Sequence, residues 1–160
     1  MACVPPEDRE RAPASGETPA VRLLRSLEPL QRWDIRRLLP DDIRARLRDN
    51  ARVEADHVPV LKLFNPAGPA TWLATSLDVD GDTLFGLAAV GFAPPKLGAF
   101  SLSEIAAIRG PSGVAIERDI YFHGRFKLSV YAEAARRQGA ITEIDGLLRD
   151  AETALLGRDA

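Results

Sequence analysis

The sequence predicts an α+β fold: an antiparallel β-meander of about five strands with flanking N- and C-terminal helices. Three observations carry the prediction. Apolar residues between Ala20 and Asn50 recur at helical spacing. After His57 the pattern changes to short runs rich in Val, Leu and Thr, separated by "NPAG", "DG" and "APPKLG". Helical spacing returns in "LSVYAEAARRQG", where Gly139 is the stop signal. Helices followed by consecutive strands followed by helices is the order of an α+β chain rather than of alternating βαβ units.

Each element has a local reason. Residues 1–19 are rich in Pro, Ala, Ser, Gly and charge, and are expected to form a disordered tail. Residues 20–160 are then expected to form a single domain. Leu23, Leu27 and Leu30 share a helix face, which Pro29 should break or kink. Ile35, Leu38 and Leu39 continue at helical spacing. Pro40 suits the first turn of a new helix, with Asp41 and Asp42 at the positive end of its dipole and Asn50 as its stop. "VPVLKLF" is the first strand, and Asn65, Pro66 and Gly68 then fit a type I turn. "PATWLATSLDV" and "DTLFGLAAVGF" are the next two, joined by Asp80-Gly81, which suits a type I′ hairpin with positive φ at both central residues. The paired prolines of "APPKLG" predict a loop, and "AFSL" a short fourth strand. "SLSEIAAIRG" predicts a short helix, "VAIERDIYFHG" a fifth strand, and "ITEIDGLLRDAETALL" a last helix that carries Gly146.

Composition narrows the function. With 160 residues, the chain has room for one ordinary core. The net charge of −2 gives no overall bias toward nucleic acid or membrane. A single cysteine, Cys3, excludes an internal disulfide or a cysteine metal site. The start "MACVPPEDRERAPASG" does not read as a secretory signal. The longest apolar run, "LFGLAAVGFA", falls well short of the roughly 20 residues that cross a bilayer. A cytoplasmic protein with no membrane partner and no cofactor is expected.

Most motifs have folding explanations. Asp78, Asp80 and Asp82 mimic the start of a calcium loop, but Thr83 and Ala89 stand where that loop needs Gly and a bidentate Glu. Ser101 and Glu104 have capping-box spacing. "RGPSG" at 109–113 ends a helix and turns the chain, and lacks the ending of a phosphate loop. What remains is "IERDIYFH". In a continuous strand Ile116, Arg118, Ile120 and Phe122 face one way, and Glu117, Asp119, Tyr121 and His123 the other. If the even-numbered face is the core, the Arg118 guanidinium needs an acid or carbonyls. The odd-numbered face offers carboxylates, a phenol and an imidazole, the types used in acid–base chemistry or metal binding. A second candidate is the arginine-rich stretch from Val21 to Arg52, which holds nine Arg against five acids and could meet phosphates. Trp72 reads as core packing before it reads as a stacking platform.

Several pieces in one order carry a family resemblance: Phe64 and Pro66, Thr71-Trp72, Phe85-Gly86, Leu97-Gly98, Ser101 to Glu104, Arg109-Gly110, and Glu117-Arg118-Asp119 followed by Phe122. Over about residues 38–129 the chain resembles the bacterial domain-of-unknown-function family 2958. The resemblance implies no assigned activity. It implies an accessory role on plasmids and other mobile elements. The leading expectation is therefore a non-enzymatic interaction module, with another protein as partner and a surface around Trp72, Glu104, Arg109, Glu117, Arg118 and Asp119. The alternatives are a nucleic-acid binder using the N-terminal arginines, and a hydrolase or metal enzyme using Glu117, Asp119 and His123.

Overall fold

A computed structural model describes residues 34–159. The expected tail at 1–19 and the helical pattern from Ala20 to Trp33 lie outside the described residues. Residues 34–38 are helical, and Leu39 donates to the Ile35 carbonyl at 2.8 Å. Helix α1 follows at Asp41–Ala51. Pro40 is its N-cap, one place earlier than the sequence suggests, with φ −62° and ψ 158°. The four strands of the meander are β1 (Leu61–Phe64), β2 (Thr71–Leu77), β3 (Thr83–Ala89) and β4 (Lys96–Ser101). Helix α2 (Leu102–Ala107) comes directly off β4. A two-residue strand, β5 (Glu117–Arg118), precedes α3 (Leu128–Gln138) and α4 (Asp145–Arg158). All pairings are antiparallel, and the sheet order is β4-β3-β2-β1-β5, so β5 returns to the free edge of β1.

Register decides which side chains share a face. Leu61, Leu63, Trp72, Ala74, Leu77 and Leu84 point to one side, where they pack with Leu38, Leu39 and Leu47 and with Leu102, Ile105 and Ala106 of α2. Leu73 and Leu87 point to the other, against Leu128, Val130, Tyr131, Ala134 and Ala135 of α3 and Leu148 and Ala151 of α4. Both faces of the sheet are therefore covered by helices. The cover on the second face thins toward β3 and the edge strand β4, where Phe85 and Leu97 remain about half exposed.

A bulge lets one face serve both ends of β2. Ala74 pairs with Gly86 and Ser76 with Phe85, which leaves Thr75 as the extra residue. The Thr75 carbonyl accepts from Asn50 Nδ2 at 2.9 Å and its hydroxyl donates to the Phe85 carbonyl at 3.3 Å. Asn50 is thus the side chain that ties the end of α1 to the bulge.

The turns differ from expectation in an informative way. Asp80-Gly81 does not form a type I′ turn: only Gly81 has positive φ, at 74°. Gly81 N–H donates to the Asp78 carbonyl at 3.1 Å, while Asp80 Oδ1 accepts from the backbone of both Asp82 and Thr83. Those side-chain bonds stabilise a longer loop from Asp78 to Asp82. Positive φ at both central residues occurs instead at Ser112 (59°) and Gly113 (77°), where Arg109 bridges Ala115. The loop expected at "APPKLG" yields to pairing from Lys96 onward, because the prolines end one residue before the ladder begins.

Candidate functional site

The expected fifth strand from Val114 to Gly124 is corrected by Asp119. Strand pairing covers Glu117 and Arg118 alone. Asp119 N–H still donates to the Lys62 carbonyl at 3.0 Å, but its Oδ1 accepts from Tyr121 N–H and its carbonyl from Phe122 N–H. An aspartate that bonds its own backbone two residues on starts a turn. The alternation therefore holds for Ile116 and Arg118 and fails at Ile120, which is 62% exposed. Phe122 returns to the core after the turn, and Tyr121 and His123 are exposed.

The other predicted site residues are distributed rather than gathered. Trp72 is buried in the first core cluster. Arg109 donates to the Ala106 and Ile108 carbonyls at 2.7 and 2.9 Å and to Asp34 Oδ2 at 2.6 Å, closing the end of α2 against the helical segment 34–38. Asp119 pairs with Lys62 at 3.1 Å, and Glu143 is the second partner of the same ammonium. Burial alone would lower the Lys62 pKa, but the hydrogen bonds and charge of Glu143 and Asp119 outweigh it and raise it. Glu104 and Glu117 are exposed.

Half of the capping box forms: Glu104 N–H donates to Ser101 Oγ at 3.2 Å. The remaining helix-start donors are met by a residue that sequence spacing could not reveal. Asp82 Oδ1 accepts from Ser103 N–H at 2.7 Å, Asp82 Oδ2 from Ser101 Oγ at 2.6 Å, and the Asp82 carbonyl from Leu102 N–H at 2.9 Å. Partial burial works to raise the Asp82 pKa, but the bonds from Ser101 and Ser103 prevail and lower it.

Arg118 stands apart. Its register partner is Leu63, so it shares the face that carries Leu61, Trp72 and Ile116. It is half-buried, its Nε is sealed from solvent, and that atom has no hydrogen-bond partner. No ion pair compensates it among the described residues. A buried donor without an acceptor costs about 1–3 kcal/mol, more when charged.

A cleft of about 410 Å³ lies elsewhere, walled by α1, the 57–60 segment and the chain at 122–124. Both histidines of the protein, His57 and His123, line it with Arg46, Asp49 and Asn50. Glu117 and Asp119 do not line it, so the trio Glu117, Asp119 and His123 shares no cavity there. No group of three or more His, Cys, Asp or Glu among the described residues is placed to hold a metal ion. The helical arginines diverge: Arg46 lines this cleft, whereas Arg44 Nη1 approaches the Gly81 carbonyl at 3.4 Å, beside the hairpin loop.

Residues 38–142 match the family described as "Protein of unknown function (DUF2958)". The chain belongs to that family. The match runs past Ser129 and takes in α3, while α4 lies beyond it. No curated protein and no solved structure matches the chain. Among the described residues no helix is long and apolar enough to cross a membrane.

Proposed function

We propose that this DUF2958 protein is a non-enzymatic interaction module that receives an acidic side chain of a partner protein at Arg118. One observation carries the reading: a half-buried guanidinium whose Nε is sealed from water without an acceptor. The orphaned Nε destabilises the free protein, and a partner carboxylate bound at the other guanidinium nitrogens offsets that cost, since a charge-assisted guanidinium–carboxylate bond is among the stronger polar contacts. Arg118 lies on the edge strand of the sheet, with no described strand beyond it and Glu117 exposed next to it in sequence. Resemblance to proteins encoded on mobile elements is the reason to expect a cytoplasmic partner from host defence or DNA transfer. The nucleic-acid reading is weaker, because the α1 arginines face different surroundings. The hydrolase reading is weaker too, because its three residues share no cleft.

The test is Arg118→Met, which keeps an unbranched apolar stem reaching about as far as Nε and removes the donors. The free variant should be as stable as the wild type or more stable, by about 1–2 kcal/mol in urea unfolding. A protein cross-linked to the wild type in lysate, once purified, should bind the variant at least tenfold more weakly. Loss of 2 kcal/mol or more of stability in the variant assigns Arg118 to the fold and overturns the proposal. So does unchanged affinity for the purified partner.

A further inference from the structure

The cleft at α1 is a second feature that folding does not explain. Buried Pro59 and Phe122 and half-buried Val60 line it from within, and exposed Val58 adds a further apolar side chain. Its rim is polar, made by Arg46, Asp49, Asn50, His57 and His123. The histidines are far apart in sequence and meet because the chain crosses itself closely. A Cβ on Gly124 would overlap the Pro59 carbonyl, so only glycine lets the chain after His123 lie against Pro59. The His57 carbonyl accepts from Leu128 N–H at 2.9 Å, which fastens the same segment to the start of α3.

Some of the rim is committed and some is not. Asn50 Nδ2 is held by the Thr75 carbonyl. His57 Nε2 donates to the Val53 carbonyl at 2.7 Å, which leaves Nδ1 as its other polar atom. Asp49 lies 3.7 Å from Arg52, an exposed and weak pairing. Arg46 and His123 have no hydrogen-bond or ion-pair partner among the described residues. An unengaged guanidinium and an unengaged imidazole in a mainly polar cleft that also carries a few apolar side chains favour an anion joined to an organic body. A guanidinium matches phosphate oxygens in pairs. The Asn50 carboxamide oxygen and Asp49 can accept from hydroxyl or amino groups of that body. The volume lies in the roughly 300–1,000 Å³ range of small-molecule sites.

We infer that this cleft binds a small organic phosphate, with Arg46 and His123 contacting the phosphate and Asp49 and Asn50 accepting hydrogen bonds from the sugar or base. The site is independent of Arg118 and of any protein partner. The experiment titrates the full chain with AMP, ribose 5-phosphate, adenosine and inorganic phosphate, following the two histidine side-chain NMR resonances and the heat of binding. AMP or ribose 5-phosphate should bind and shift both histidines. Arg46→Met and His123→Leu, which are exposed positions checked by thermal melting, should each weaken binding about tenfold or more. Tighter binding of AMP than of ribose 5-phosphate assigns a nucleotide, and equal binding a sugar phosphate. The inference is overturned if no probe binds, if adenosine binds as well as AMP, if inorganic phosphate binds as tightly as either ester, or if both variants keep wild-type affinity.

Discussion

Single residues here do work at positions far from them in sequence. Asp82 is the clearest case, since it sits at the end of the β2–β3 loop that Asp80 closes, and its own side chain starts α2. Spacing alone pointed to Glu104 as the reciprocal partner of Ser101, because a capping box is a local pattern. Asp82 was not legible, because nothing in "DGDT" states that β4 will bring Ser101 beside it. Asp82→Ala should cost about 1–2 kcal/mol in urea unfolding, the loss of an N-terminal cap, whereas Glu104→Ala should cost less than half of that. Equal losses at the two positions would restore the capping-box account. Arg118 teaches a related lesson. Alternation with Ile116 correctly put it on the covered face, but its missing acceptor depends on what surrounds the edge strand, which no pattern within "IERD" encodes.

At the scale of elements, periodicity located four strands and the later helices well, because each buries residues at its own repeat. It failed where a side chain redirected the backbone. Asp119 bonds Tyr121 N–H and ends β5 after two residues, although "VAIERDIYFHG" alternates convincingly. The bulge at Thr75 was likewise hidden, since an extra residue shifts the phase of the pattern without removing any apolar side chain. Gly86 is its counterpart on β3. A Cβ there would collide with the Leu73 carbonyl oxygen and press on the Ala74 backbone. The glycine is therefore required by close approach, not by a turn. Gly86→Ala should destabilise the protein by about 3 kcal/mol, because backbone on both strands must move to admit one methyl. By contrast Gly98→Ala, where the added carbon meets nothing within 4 Å, should be tolerated on the paired edge strand. Melting the two variants side by side checks the point, and a tolerated Gly86→Ala would mean that the bulge yields easily.

Across the whole molecule, polar anchors fasten the helices on each face of the sheet. On one face Asp82 holds α2. On the other Glu133, a buried residue of α3, accepts from Arg136 at 2.8 Å, Arg137 at 2.8 Å and Arg158 at 3.2 Å, which joins the end of α4 to α3. The bonds from Arg136 are the main cause that lowers the Glu133 pKa, with Arg137 and Arg158 adding to it. A carboxylate whose pKa is lower folded than unfolded contributes stability above its unfolded value, and that contribution disappears as pH falls through its folded value. Lys62 acts in the opposite sense: its raised pKa contributes below the ordinary lysine range and is lost only as pH rises above 10.5. The acid limb of stability is therefore shared by four carboxylates with lowered pKa values, the partly or largely buried Asp82 and Glu133 and the more exposed Asp80 and Asp145. The urea midpoint should decline steadily as pH is lowered from about 5 to about 3. Asp82→Asn with Glu133→Gln should lower stability at neutral pH and flatten that decline, since neither amide titrates. The arginines around Glu133 are partly exposed, so its share should be modest, about 1 kcal/mol. The two sites lie on opposite faces and share no partner, so their losses should add within about 0.5 kcal/mol. A double variant with the wild-type slope in acid would show that other carboxylates govern the unfolding.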